Sequence, residues 1–145
     1  MISDIVNGIT AALHAAFPEG RIYPEDVRQG LREPCFLIRC IDPSEVPIAG
    51  GRYWRNNLFT VKYIPLDGTH ANDECYTVQD KLFRVLEYIS VAGKLKRGTG
   101  MHGEIIDGIL HFYINYNQIV RKIKQADTMD ELRLEPMEVT DVGKT

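Results

Sequence analysis

The chain has 145 residues, of which 44% are hydrophobic and 26% are charged. These values are ordinary for one soluble globular domain, which at this length buries roughly 70% of its unfolded surface. The net charge of −3 gives no whole-molecule attraction to nucleic acid or to an anionic membrane. Three cysteines without a CxxC pair argue against a disulfide framework and for a reducing compartment, so we expect a domain that is made in a cytoplasm.

The chain begins with a predicted amphipathic helix that Ser3 or Asp4 caps and Pro18 ends. Its apolar stripe recurs at spacings of three and four and comprises Ile2, Ile5, Val6, Ile9, Leu13, Ala16 and Phe17. The stretch lacks the basic start of a signal peptide, and no apolar run in the sequence approaches the length of a membrane span. Arg21–Pro24 is predicted as an edge strand, and Glu25–Leu31 as one helical turn or an irregular loop.

Two strands are predicted next, Cys35–Ile41 and the long Arg52–Ile64, with a turn-rich loop at Asp42–Gly51 between them. The spacing of Cys35 and Cys40 places the two thiols on opposite faces, which favours buried structural thiols over a metal or redox pair.

The long strand alternates, with Trp54, Leu58, Thr60 and Ile64 on one face and Tyr53, Phe59, Val61 and Tyr63 on the other. A strand of this length is expected to project beyond the sheet at its Arg52–Asn57 end, as a bare strand end anchored by Trp54. We therefore predict that Asp42–Asn57 forms a protruding hairpin, which suits a partner contact better than a catalytic site.

A second helix is predicted with Asn72 or Asp73 as its N-cap and with its end at Gly93. Its apolar residues at helical spacing are Val78, Leu82, Val85, Leu86 and Ile89. The basic segment Lys94–Gly100 that follows could contact phosphate, but it lacks the spacing of a phosphate loop. A solvated turn is the favoured interpretation of this segment.

The strongest local signal is a β-hairpin, Glu104–Ile106 and Ile109–Asn117, joined by Asp107-Gly108. Its second strand alternates, with Leu110, Phe112, Ile114 and Tyr116 facing a core and His111, Tyr113, Asn115 and Asn117 on a nearly uncharged opposite face. We predict that this hairpin forms the centre of the sheet.

The C-terminal part begins with basic residues, Arg121, Lys122 and Lys124, which we expect at the solvated end of the last core strand. Met129–Glu135 alternates weakly and predicts an edge strand, in this chain or on a neighbouring subunit. The acidic composition beyond Asp127 predicts a mobile end. Residues 1–134 are therefore predicted as one domain and residues 135–145 as a mobile tail.

Enzyme templates do not fit the sequence. The histidines His14, His70, His102 and His111 lie in separate elements, and no serine lies in a GxSxG turn. The best carboxylate pair is Glu104 with Asp107, and the turn geometry already explains the aspartate. We therefore predict no catalytic activity, no metal, no cofactor and no small-molecule substrate.

Arg52, Tyr53, Trp54 and Arg55 interleave basic and aromatic side chains, and Lys94, Lys96 and Arg97 could extend this patch. Such a patch is typical of single-stranded nucleic-acid binding, although the negative net charge weighs against that function. Protein interfaces enrich the same residue types at their hot spots. A protein contact is the favoured interpretation, and a nucleic-acid-binding accessory protein is the alternative.

The order of elements and several sequence stretches together resemble a known family. After the amphipathic helix come IYPEDVRQGLREPCFLI, RYWRNNLFTVKYI, a second helix, a GxxMHGEIIDGILHFYINYN hairpin and a Met-Asp-Glu-Leu tail. This sequence resembles the small tail terminator, or tail completion, proteins of prophages in Gram-positive bacteria. The resemblance covers about Ile2 to Leu134 and is most specific from Gln29 to Phe36 and from Met101 to Tyr116.

The resemblance implies an α+β domain with a mixed, largely antiparallel sheet and two main helices packed on it. It also implies a ring, commonly a hexamer, that caps the tail tube, ends its polymerisation and offers a surface to the head. The implied partners are further copies of the chain, the tail tube protein and a head-completion or connector protein, with DNA only passing through the lumen and no membrane. The implied location is the virion tail, assembled in the host cytoplasm. The candidate interface residues are Arg52, Tyr53, Trp54, Arg55, Asn57, Tyr113, Asn115 and Asn117.

Overall fold

A computed structural model of the protein describes residues 2–24, 30–66, 69–124 and 132–137. Within these ranges it contains two helices and nine strands. In chain order they are α1 (Ile2–Ala16), β1 (Arg21–Pro24), β2 (Cys35–Ile48), β3 (Arg52–Ile64), α2 (Ala71–Val85), β4 (Tyr88–Val91), β5 (Lys94–Arg97), β6 (Thr99–Ile106), β7 (Ile109–Asn115), β8 (Gln118–Lys124) and β9 (Leu132–Met137).

Seven of these strands form the main sheet, in the order β1-β2-β3-β7-β6, with β8 paired to β3 and β9 paired to β8. Only the β1–β2 pair is parallel among the described pairs of this sheet. Strands β4 and β5 form a separate antiparallel hairpin. The predicted α+β class, with a mixed and largely antiparallel sheet, is confirmed.

The predicted hairpin is correct in its turn but not in its place in the sheet. Asp107 and Gly108 have φ values of 52° and 76°, the two positive angles that a type I′ turn requires. However, β6 lies at an edge, and the central strand is β3. Because β3 is 13 residues long, it pairs with β7 along one half and with β8 along the other. Where β7 passes into β8, the Tyr116 amide donates to the carbonyl oxygen of Asn57 at 2.9 Å.

The core lies between the two helices and one face of the sheet. Alternate residues of β3 and β7 are buried on this face, including Phe59 and Val61 on β3 and, as predicted, Phe112 on β7. The other buried apolar side chains come mainly from α1, β2, α2 and β7, and include Ile5, Ile9, Leu13, Phe36, Ile38, Cys75, Val78, Leu82, Leu110, Ile114 and Tyr116. The domain is therefore a two-layer structure, with helices on one side and the sheet on the other.

The loop predicted at Asp42–Gly51 is wrong, because β2 continues through Ile48. A register shift lies between Ile41 and Ser44, and the chain turns only at Gly50 and Gly51, where both φ values are positive. The prolines in this stretch are compatible with a strand because β1 pairs only with the first part of β2, which leaves the later part at the sheet edge.

The predicted course of the second helix is also wrong at both ends. Its N-cap is His70, and the helix ends at Val85, with Leu86 as C-cap, and not at Gly93. Gly93 instead belongs to the turn of the β4–β5 hairpin, so Lys94–Arg97 is a strand and not a solvated turn. This hairpin packs against α1, and Gly8 makes the approach possible, since a Cβ there would collide with the Ser90 carbonyl oxygen.

Some predicted segments lie at or beyond the ends of the described residue ranges. Arg121, Lys122 and Lys124 lie in β8, and β9 pairs with β8 of the same chain, so the predicted edge strand exists, but it spans Leu132–Met137 and includes residues 135–137, which were predicted as mobile tail. Most of Glu25–Leu31 lies outside the described residues, and so do residues 138–145 of the predicted tail.

Candidate assembly surface

The sheet face opposite the helices, which we call the outer face, is left uncovered by the described helices. Cross-strand pairing defines its rows: Leu37, Lys62, His111 and Glu104 form one, and Arg39, Thr60, Tyr113 and His102 form the next. Further rows contain Ile41, Leu58 and Asn115, and then Val46, Trp54 and Ile119. The outer face therefore combines aliphatic, aromatic and amide side chains in a continuous band.

Tyr113 lies on the outer face between β3 and the edge strand β6, in a fixed position. Its ring stacks on the imidazole of His102, with centroids 4.8 Å apart and an interplanar angle of 16°. His102 is held in turn by a 2.9 Å contact between Nδ1 and the Gly100 carbonyl oxygen. An aromatic side chain that is already ordered loses little conformational entropy when a partner binds, which makes Tyr113 suitable as an interface anchor.

The outer face is predominantly basic. Its described charged side chains include the cations Arg39, Arg52, Lys62 and Arg121 and the carboxylate Glu104. Burial and then the neighbouring Lys62 lower the pKa of His111 from its usual value, although Glu104 acts in the opposite direction. His111 is therefore kept neutral near pH 7, and the positive character of this face comes from lysine and arginine.

The second part of the outer face is the arm, which we define as residues 44–48 of β2 and 52–56 of β3 with the paired part of β8. The predicted bare strand end is wrong, since Arg52–Arg55 pairs with β2 on one side and with β8 on the other. Trp54 lies between Val46, which is 50% exposed, and Ile119. Its indole nitrogen donates to the Asn56 Oδ1 at 3.0 Å, so the ring is held by its own strand.

The opposite side of the arm is occupied by contacts within the chain. The Arg55 guanidinium donates to Glu45 Oε2 from Nη2 at 2.7 Å and from Nε at 3.0 Å. Asn57 is fully buried, and its Nδ2 donates to the Tyr116 carbonyl oxygen at 3.1 Å. Asn57 is thus part of the folded framework, in the place where the β3 ladder passes from β7 to β8.

The predicted interface residues consequently divide between two sides of the sheet. Arg52, Trp54, Tyr113 and Asn115 alternate onto the outer face, whereas Tyr53, Arg55 and Asn57 alternate onto the helix side. Asn117 lies in the link between β7 and β8, and its Oδ1 is buried. Sequence reasoning missed Val46, Ile119 and Lys62 as members of the same surface. The sequence signal that could have identified them is the alternation of side chains with a period of two, which extends through the strands that contain them, β2, β3 and β8.

The two basic segments of the predicted nucleic-acid patch belong to different sheets, with Arg52–Arg55 on β3 and Lys94–Arg97 on β5. Within the β4–β5 hairpin, the Arg97 guanidinium lies 3.8 Å from Glu87 and 5.9 Å from the centroid of the Tyr88 ring. Part of the positive charge of this segment is therefore already engaged within the hairpin.

The described residues show little that resembles a reaction centre. A cavity of about 560 Å³ near the start of α2 is lined by Glu33, His70, Asp73 and Asp107 among others, but no group of three potential metal ligands occurs within the described part of the chain. Burial raises the pKa of the Cys35 and Cys75 thiols, which makes both poor nucleophiles. Neither described helix is long and apolar enough to cross a membrane.

Comparison with protein families matches residues 4–128 to the family described as phage tail terminator protein. The chain belongs to the phage tail terminator family. The match includes most of α1 and everything from β1 to β8, so both layers and the outer face belong to the terminator domain. Comparison with curated proteins finds no match. Membership of this family supports a structural role for the chain in the phage tail.

Proposed function

We propose that this protein caps the phage tail tube as a ring, ends tube polymerisation and forms the surface on which the head joins. The observation that carries the proposal is the outer face. The core is complete on the helix side, yet the opposite face presents ordered aromatic side chains, Tyr113 and Trp54, with no described helix over them. A ring subunit needs two different side surfaces for its neighbours and an axial surface for the tube.

In this proposal the partners are further copies of the chain, the tail tube protein and a head-completion or connector protein. The ring has six subunits, DNA passes through its lumen, and assembly takes place in the host cytoplasm before the ring becomes part of the virion. Arg52 and Trp54 on the arm contact the last layer of the tube. The ring ends polymerisation because it binds that layer and leaves no surface on which a further tube layer can add.

The test is electron microscopy of phage particles induced from a host whose prophage lacks this gene. We expect tails of uncontrolled length, or tails detached from full heads, and restoration of normal particles by the wild-type gene. Complementation by Trp54→Ala should fail. Complementation by Tyr88→Ala should succeed, because Tyr88 is an exposed aromatic residue of the separate β4–β5 hairpin.

Normal virions from the deletion strain would overturn the proposal. Normal virions together with DNA binding that weakens steeply with salt would instead support a nucleic-acid-binding accessory protein.

A further inference from the structure

A second surface, on the opposite side of the molecule, complements the outer face. It is the exposed side of α2, and we call its residues Asn72, Asp73, Tyr76, Thr77 and Asp80 the α2 ridge. Tyr76 is 56% exposed and is the one large apolar side chain with high exposure among the described residues of the two helices. Asp73 and Asp80 lie three residues before it and four residues after it, so they flank it on the same helix face.

Within its own residues the α2 ridge carries two carboxylates and no cation, because Lys81 is turned away and the exposed Arg84 lies one turn beyond Asp80, in the last turn of α2. The Lys81 ammonium donates to the Ala16 carbonyl oxygen at 2.8 Å and lies 4.7 Å from the centroid of the Phe17 ring. Lys81 therefore links α2 to the end of α1. The ridge is left as an aromatic side chain between two carboxylates.

From this complementarity we infer that the α2 ridge of one copy docks on the outer face of a second copy of this chain. Tyr76 then packs against Leu58 and Tyr113, and the ridge carboxylates lie near Lys62. The charges are opposite in sign, and both surfaces have an apolar centre, which is the arrangement of a specific protein interface.

The placement of the two surfaces explains why this contact repeats. Since the helices cover one face of the sheet, the ridge and the outer face lie on opposite sides of a two-layer domain. Each copy can then offer its ridge to one neighbour and its outer face to the other. Such a head-to-tail contact is heterologous and closes into a ring when the rotation between copies allows it. The inference rests on the proposed ring and names its side-to-side interface.

The first test places a photo-crosslinking phenylalanine derivative at Tyr76 of the full chain, in complemented phage particles. We expect a covalent dimer of this chain, with the link mapped by mass spectrometry to the outer-face strands β3 or β7 of the second copy. The same derivative at Tyr88 is the control, and we expect no such dimer from it. A link to the tube protein or to any other protein, or no link at position 76, overturns the inference.

A second test uses the heterologous nature of the contact. A ridge variant, Tyr76→Ala/Asp80→Asn, and a face variant, Lys62→Glu, should each self-associate at least about tenfold more weakly than the wild type by sedimentation velocity. An equal mixture of the two should form dimers but no larger species, because one intact ridge can meet one intact face. Lys94→Glu on β5 is the charge-reversal control and should assemble as the wild type does.

A mixture that remains monomeric, or variants that assemble normally, would overturn the interface. Neither result affects the tail-length test, so failure of this inference and failure of the capping proposal are distinguishable.

Discussion

Tyr116→Phe removes one oxygen atom from the most constrained tyrosine of the core. The Tyr116 side chain is fully buried, its hydroxyl donates to the Leu86 carbonyl oxygen at 2.6 Å, and its ring meets Phe59 edge-on at 6.2 Å. Burial also raises the pKa of this phenol, which therefore stays protonated and continues to donate. The bond joins the end of β7 to the C-cap of α2, which makes it a link between the two layers.

The expected cost follows from what the substitution leaves behind. Phenylalanine keeps the ring and its packing, so the cavity contribution is small and the main loss is the hydrogen bond to a buried carbonyl group. Leaving such a group without a partner lowers the free energy of unfolding by about 1–3 kcal/mol. For a chain of this length, the melting temperature should fall by roughly 3–10 °C.

The assay is thermal and urea unfolding followed by circular dichroism, at two protein concentrations, because self-association raises apparent stability. Tyr113→Phe is the matched control. It is the same substitution three residues earlier in the chain but on the outer face, and its effect should stay within about 0.5 kcal/mol. Equal losses in the two variants, or no loss in Tyr116→Phe, would refute the assignment of Tyr116 to the link between the layers.

Three further predictions concern other positions. The pKa of His111 is lower in the folded protein than its unfolded value of about 6.5. The unfolded chain therefore binds more protons, and stability should decrease as the pH falls below that value. His111→Gln should flatten this part of the plot of urea midpoint against pH. Asn57→Ala removes the donor to the Tyr116 carbonyl oxygen and should lower the free energy of unfolding by about 1–3 kcal/mol in urea titrations, whereas an unchanged midpoint would contradict its structural role. Gly108→Val places a β-branched residue at φ 76° and should lower the melting temperature in calorimetry through about 1–3 kcal/mol of strain, while Asp107→Asn in the same turn should be tolerated.

The elements that sequence reasoning predicted well are those whose signals are local. Asp107-Gly108 specifies its own turn, and the alternation in Ile109–Asn115 identifies the buried face without reference to any other strand. The stripe of α1 likewise needs only the helical period. In each case the residues that determine the element lie within the element.

The predictions that failed depend on distant partners. β2 continues past Pro43 and Pro47 because no described strand of the main sheet pairs with its other side there, and no local pattern contains that information. The end of α2 was predicted too late because Ile89 fits a helical spacing. In the structure Ile89 is buried from the β4–β5 hairpin, which packs against α1, and α1 is far away in the sequence.

The candidate surface also divides into features that a local pattern predicts and features that depend on distant residues. Alternation alone placed Tyr113, Asn115 and Asn117 on one face of their strand. It could not show which β3 residues join them, because that depends on the register between β3 and β7, which places Thr60 beside Tyr113 and Lys62 beside His111. The α2 ridge was not predicted for a related reason. Tyr76 can be recognised as part of a candidate interface only once the exposed face of each layer is known.

Because side chains alternate between the two faces of β3 and β7, effects on assembly can be measured separately from effects on stability. Val61 and Phe112 are fully buried against the helices, whereas their immediate neighbours Lys62 and Tyr113 point to the outer face. Substituting the first pair removes core packing and should lower stability whatever the assembly state. Substituting the second pair leaves that packing intact, so any loss of ring formation must come from the surface itself. In each strand, two residues that are adjacent in sequence thus test two different properties, core packing and assembly.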